Sequence, residues 1–352
     1  MSIEQIIEPF ESQIYQGVEN EGIGSIAVAV VQGNEQIWAK GFGWADKEKN
    51  IEANSETIYR VGSISKCFTG VLLLQLCEQG VVRLDDLVES HFPEIKQLDG
   101  YADHEPITLR QLGSHTAGLV REPDLVGAAS GPIEGWEDKV IASIPTTSFE
   151  YAPGVCFSYS NIGYGILGLV LSRAVRQPFM DRVTESIIDP LGLEMTSFIL
   201  TPEMWSHLAT GYVVDRDGVA NSEVPFKEHA GRGYKVPNGG IYSTVGDLGR
   251  FIAAQVGVSP VQVLSDESRE EIQKNQTPGA ELPAYGLGFR IQLGYKDRPF
   301  FGHGGSVAGY NASLVFEPES KLGVVMLRNY DRSRVGIKEL STQLLQKLVA
   351  EI

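Results

Sequence analysis

Cysteine is scarce in this chain: Cys67, Cys77 and Cys156 are the only three in 352 residues. Three is an odd number and no disulfide framework. No C-x-x-C or H-E-x-x-H occurs, so metal-ligand spacing is missing and no metal is expected. The thiols read as small buried hydrophobes. No stretch approaches the roughly 18 apolar residues that a membrane helix needs. The opening Met1-Ser2-Ile3-Glu4-Gln5-Ile6-Ile7-Glu8 lacks the basic flank and apolar core of a signal peptide. These absences predict a soluble, cytoplasmic protein, periplasmic or secreted only if a leader has been removed. Positive charge is also short, with 29 Lys and Arg against 45 Asp and Glu and a net charge of −16. Such a surface repels phosphate backbones, so neither nucleic acid nor membrane is an expected partner. The residue pattern specifies no oligomeric state.

What is present is ordinary globular material, 42% hydrophobic and 21% charged, in a length that suits two lobes. Ile3, Ile6, Ile7, Phe10, Ile14 and Val18 have helical spacing. Ser25–Val31 and Glu35–Lys40 read as strands joined at Gln32-Gly33-Asn34, the second broken by Gly41-Phe42-Gly43. A short extended stretch, 57–61, leads to Gly62 and a helix from about Ser63 to Gln79. Helices are expected near 84–91, 107–113, 134–144, 162–176, 179–189 and 244–257, then strands over 285–293, 311–317 and 321–328. A last helix spans 333–350. Strands at both ends around a helical middle predict an α+β fold. Its antiparallel sheet is flanked by terminal helices and interrupted by an inserted, mostly helical lobe. Residues 1–80 and 239–352 form the first lobe, 81–238 the second, with the active site between them.

Three clusters carry chemistry. Ser63-Ile64-Ser65-Lys66 puts a hydroxyl and an amine on one helix face. A serine needs an adjacent base to become a nucleophile, and a lysine serves if burial lowers its pKa. Gly62 permits a tight entry, and the unpaired Ser63 N–H at the helix start is a candidate oxyanion donor. The plain alternative is an N-capping serine beside a surface lysine. Tyr159-Ser160-Asn161 follows Pro153-Gly154 and opens a helix-like run. A tyrosine can relay a proton, and an asparagine amide can donate and accept at once. His303-Gly304-Gly305-Ser306 precedes a strand. Its glycines allow close approach of a ligand, His303 is either a cation near the tyrosine or a neutral partner, and the Ser306 N–H is a second oxyanion donor. Alone, it also reads as a Gly-rich hairpin turn.

In this order, the clusters resemble the serine β-lactamase and penicillin-binding protein superfamily, whose signatures are S-x-x-K, Y-x-N and K-T-G or H-x-G. Ile107-Thr108-Leu109-Arg110-Gln111-Leu112-Gly113-Ser114-His115-Thr116-Ala117-Gly118-Leu119 resembles the family stretch ITLRQLLSHTSGL. Gly239-Gly240-Ile241-Tyr242-Ser243-Thr244-Val245-Gly246-Asp247-Leu248 resembles GGLYSTAxDL. Tyr285-Gly286-Leu287-Gly288-Phe289 and Gly302-His303-Gly304-Gly305 match the closing strands. Tyr-x-Asn points to the class C β-lactamase-like branch, with its D-alanyl-D-alanine carboxypeptidases, D-aminopeptidases and esterases. True class C enzymes carry Lys-Thr-Gly where this chain has His303-Gly304-Gly305, which puts strong β-lactam carboxylate binding in doubt.

The resemblance implies a serine hydrolase with an acyl-enzyme on Ser63. Lys66 or Tyr159 takes the proton, and Asn161, His303, Gly304, Gly305 and Ser306 bind substrate and oxyanion. No cofactor is implied. The expected substrate is a small ester, amide or peptide, with weak β-lactam turnover as an alternative. A non-catalytic binding protein is the alternative from another class. Asp124, Trp136, Trp205 and Tyr234, on loops near 120–135 and 201–237, are candidates to line the pocket. Gly22-Ile23-Gly24-Ser25-Ile26-Ala27 matches a dinucleotide fingerprint, but a helix precedes it and a strand follows, the reverse of what that site needs. His115 reads as a structural hydrogen-bonding residue, and Asn311-Ala312-Ser313 as a glycosylation sequon without consequence.

Overall fold

A computed structural model describes residues 2–215, 219–221, 232–279 and 281–351. The chain starts with α1 (Ile3–Glu21), β1 (Ser25–Gln32), β2 (Glu35–Asp46), β3 (Ile51–Glu52), β4 (Tyr59–Arg60) and α2 (Ser65–Glu78). Then come α3 (Leu109–Gly113), α4 (Trp136–Ser143), α5 (Asn161–Val175), α6 (Phe179–Val183), α7 (Pro202–His207), β5 (Val213–Val214), β6 (Ala220–Asn221) and α8 (Val236–Gly239). The remainder is β7 (Tyr242–Ser243), α9 (Val245–Gln255), α10 (Asp266–Gln273), β8 (Ala284–Tyr285), β9 (Arg290–Tyr295), β10 (Arg298–Val307), β11 (Tyr310–Glu317), β12 (Leu322–Arg328) and α11 (Ile337–Glu351).

The fold is α+β. An antiparallel sheet of eight strands has the order β3-β2-β1-β12-β11-β10-β9-β8. β1 is central and its side chains alternate between faces. Ile26, Val28 and Val30 join a cluster with α1 and α11, while Ala27, Ala29 and Val31 join the larger core with α2 and α9. α1 begins with a capping box between Ser2 and Gln5 and ends at Gly22, which takes a left-handed φ of 58°. No described helix is long and apolar enough to cross a membrane.

Several local expectations are corrected. Gly41-Phe42-Gly43 does not break the second strand, which runs on to Asp46. The glycines instead let residues 53–54 and Gly24 lie against the strand, where a Cβ would collide with backbone. The helix expected at 84–91 is only a tight turn at Val88–Ser90. The 179–189 helix widens after Val183 into a π-type turn, Thr184–Ile188. The last helix starts at Ile337, because Arg328 ties down the preceding segment by donating to the carbonyls of Tyr330 and Val335. The 285–293 strand is split at Gly286–Gly288, where Gly288 (φ 87°) packs on the Lys66 carbonyl.

Candidate active site

Ser63 lies in a tight 3-10 turn, Gly62–Ile64, and Lys66 in the first turn of α2. The expected single helix is therefore a turn feeding a helix. Ser65 Oγ donates to the Gly62 carbonyl at 2.8 Å and pins the junction. Gly62 has a φ of 53°, and a Cβ there would come within 2.9 Å of Ser306 N. A Cβ on Gly305 would collide with the Val61 carbonyl. Two glycines thus bring β10 against the serine turn, with the Ser306 backbone nitrogen beside it.

His303 to Ser306 do not begin a strand, nor do they form a turn; they lie inside β10, paired with Leu314 to Asn311 of β11. β9 pairs with β10 only as far as Gly302. Beyond Gly302 the other edge of β10 has no strand partner among the described residues.

Lys66 is fully buried. Its Nζ lies 3.2 Å from Ser63 Oγ, 2.9 Å from Asn161 Oδ1 and 3.2 Å from the Asn238 carbonyl. Burial drives the amine well below its ordinary pKa, against the pull of the Glu122 charge. A neutral amine has two N–H groups and one lone pair. In that form the two obligate acceptors, Asn161 Oδ1 and the Asn238 carbonyl, would take the N–H groups and the lone pair would face the Ser63 hydroxyl. Asn161, in the first turn of α5 beyond the N-cap Ser160, is held on both sides. Its Nδ2 donates to Glu122 at 2.7 Å, and its carbonyl accepts from Asn238 Nδ2 at 2.9 Å. Glu122 also accepts from Lys235 at 3.1 Å and from the Tyr234 hydroxyl.

The half-buried Tyr159 ring has the Lys66 amine 4.8 Å away and two cations beside it, the guanidinium carbons of Arg121 and Arg290 at 5.1 and 5.5 Å. Burial holds its phenol above the ordinary value; the Ser63 hydroxyl and the Arg290 and Arg121 charges oppose this. Two histidines flank it, with ring centroids 4.2 Å (His115) and 6.2 Å (His303) away. Burial above all, with the Arg290 charge adding to it, keeps both well below 6.5, hence neutral. His303 Nδ1 faces the Gly304 carbonyl at 2.6 Å and must donate, so Nε2 accepts from the Tyr285 hydroxyl at 3.0 Å. In His115 the pattern is reversed. Its Nδ1 accepts from Ser160 N at 3.1 Å, so the proton is on Nε2, which is buried without a partner.

Ser63, Lys66, Asn161 and Tyr159 therefore converge, with His303, Gly305 and Ser306 on the adjacent strand and Gly304 between them. Trp136 is a core residue, Tyr234 is buried against Glu122, Asp124 is exposed and Trp205 is 40% exposed. Of the 201–237 loop, 216–218 and 222–231 lie outside the described residues. Sequence reasoning missed Glu122 and Asn238. The only available signal was position, just after His115–Leu119 and just before Gly239-Gly240. His115 was seen as structural, but not as a neighbour of Tyr159. Asn311 is tied to the Tyr330 and Asp331 carbonyls by its side-chain amide. No cluster of three metal-ligating side chains occurs among the described residues.

The family model described as Beta-lactamase matches residues 10–346. Protein flp of Staphylococcus aureus (strain N315) is 26% identical over 348 residues, 98% of this chain and 67% of that protein. The chain thus spans about two thirds of that relative's length. The D-alanyl-D-alanine-carboxypeptidase/endopeptidase AmpH of Escherichia coli (strain K12) is 26% identical over 361 residues, covering 96% of this chain and 89% of that protein. Among solved structures, an octameric penicillin-binding protein homologue from Pyrococcus abyssi superposes with a TM-score of 0.82 at 25% identity, covering 98% of this chain and 77% of that one. A β-lactamase/D-alanine carboxypeptidase from Yersinia pestis, complexed with citrate, gives 0.78 at 25% identity, covering 99% and 98%.

Proposed function

The chain belongs to the beta-lactamase family, as a serine hydrolase of the wider β-lactamase and penicillin-binding protein superfamily, and from that premise we propose an acyl-enzyme mechanism on Ser63. The observation that carries this reading is the contact between Ser63 Oγ and a fully buried Lys66 amine at 3.2 Å. Ser63 Oγ attacks a carbonyl carbon while its proton passes to the Lys66 lone pair. The oxyanion lies between the Ser63 and Ser306 N–H groups. Tyr159, kept protonated by burial, gives its proton to the leaving group and recovers one from Lys66. A water then takes the leaving group's place and gives its proton back by the same route, which releases the acid. Asn161 orients Lys66, and His303 acts as a neutral spacer held by Tyr285.

The substrate is a small ester, amide or peptide, bound between a lobe of residues 1–80 and 239–352 and a lobe of 81–238. The carboxypeptidase names of the Escherichia coli and Yersinia pestis relatives favour the peptidase side of this range. Labelling with a fluorophosphonate and with a fluorescent penicillin, followed by peptide mapping, tests the nucleophile. An adduct on Ser63 is expected and should vanish in Ser63→Ala. No adduct on folded protein would remove the catalytic reading and leave the binding-protein alternative.

A further inference from the structure

Tyr159 has to meet both the leaving group and a water, yet it sits on neither helix nor strand. Residues 157–160 are irregular, and α5 begins at Asn161. A proton donor on such a stretch must be fixed by cross-links, because a misplacement of about 1 Å can cost about a hundred-fold in rate. The residues on either side of Tyr159 are buried, Ser158 at 8% and Ser160 at 3% exposure. Both are tied to one residue. Ser158 N donates to the His115 carbonyl at 2.8 Å, and Ser160 N donates to His115 Nδ1 at 3.1 Å. The His115 ring also lies against the ring between them, with the two planes 38° apart.

His115 is itself held rigidly. It follows α3 and Ser114 and takes a left-handed φ of 60°. Few side chains accept that region; Asn, Asp and His enter it most readily after glycine. Ser114 Oγ donates to the Arg110 carbonyl at 2.8 Å, so Thr116 Oγ1 donates to Ser114 Oγ at 2.9 Å and closes a bridge across His115. Because the buried imidazole is neutral, Nδ1 keeps the lone pair that the Ser160 N–H needs. The serine hydroxyls brace the same segment, Ser158 Oγ on Glu150 and Ser160 Oγ on the Val120 carbonyl. His115 is the residue that joins both serines and touches the tyrosine between them.

We propose that His115 is a positioning residue for Tyr159: by gripping the backbone on both sides of the tyrosine and backing its ring, it sets where the phenol meets the leaving group. This rests on Tyr159 being the acid that serves the leaving group. The test compares ethyl butyrate with p-nitrophenyl butyrate, which share an acyl group but differ in how much the departing oxygen needs a proton. His115→Gly accepts the left-handed backbone and removes the ring and its acceptor. Its kcat/KM on ethyl butyrate should fall by about thirty-fold or more, and by at least about ten-fold more than on p-nitrophenyl butyrate. His115→Asn, with an amide oxygen where Nδ1 stood, should recover most of the loss. If His115→Gly does not fold, His115→Phe, which fills the space without the acceptor, takes its place. Added to Tyr159→Phe, the His115 substitution should cost less than about three-fold more. Equal losses on the two esters, or the full loss repeated on top of Tyr159→Phe, mark a merely structural histidine and overturn the proposal. Tyr159→Phe with the wild-type ratio between the esters would instead remove the tyrosine as the acid, and the proposal with it.

Discussion

Under α1 and α11, one face of the central sheet buries Ile26, Val28 and Val30 against Leu344, Leu345 and Leu348. There the Ser313 and Ser341 hydroxyls satisfy each other at 2.7 Å. On the side toward α2 and α5 the molecule buries Lys66, Asn161, Asn238, His115 and His303. The first face gains from removing apolar surface from water. The second buries an amine and two imidazoles where desolvation penalises their charged forms. The apolar packing under α1 and α11 thus lies apart from the polar cluster beside α2 and α5, and a substitution in one should affect the other little.

The sharpest separation should come from Lys66→Met. It removes the proposed base, so kcat/KM should fall by about 10⁴ or more in a steady-state ester assay. Replacing a buried amine with an apolar chain of similar length should leave the urea midpoint unchanged or raise stability by about 1–3 kcal/mol. A variant that lost both activity and stability would break the contrast. Leu344→Ala is the mirror image. Leu344 is fully buried among apolar neighbours, so denaturation should show a loss of about 2–5 kcal/mol. Its kcat/KM should stay within about two-fold, because the site is on the far face.

The smallest effect is a pH dependence. His115 and His303 have folded pKa values well below 6.5. Between those values and 6.5 the unfolded chain binds protons that the folded chain does not, so stability rises with pH through that window and levels off above it. Acidification below about 6.5 should therefore lower the urea midpoint, by at most about 1.4 kcal/mol per pH unit per histidine. His115→Gln should flatten that slope, measured from pH 7 to pH 5.

Much of this was legible in the residues. α1 and α11 have apolar spacing that needs no tertiary knowledge, and Gln32-Gly33-Asn34 announced the β1–β2 hairpin. Ser63, Lys66, Tyr159 and Asn161 are recognisable because short-range spacing is part of their chemistry. Glu122 and Asn238 were not, because their relation to Lys66 arises only when the segments carrying them pack beside α2 and α5. The extent of β2 was misread because Gly41 and Gly43 look like breakers, while their real use is close approach by another segment. At 84–91 helical composition met a chain held in a turn by its neighbours, with Val88 N donating to the Ile107 carbonyl.

The order of the strands has a consequence for synthesis. β12 sits between β1 and β11, so that Val28 lies opposite Met326. A ribosome delivers Ser63, Lys66 and Tyr159 first, and the strand that closes the middle of the sheet only after all of them. β10, which carries Ser306 to the serine turn, is joined to β1 only through β11 and β12. Chains released before Arg328 would hold Ser63 and Lys66 without β10 joined to the rest of the sheet. A truncated translation product should therefore be inert as well as aggregation-prone, with β1 left as an open apolar edge.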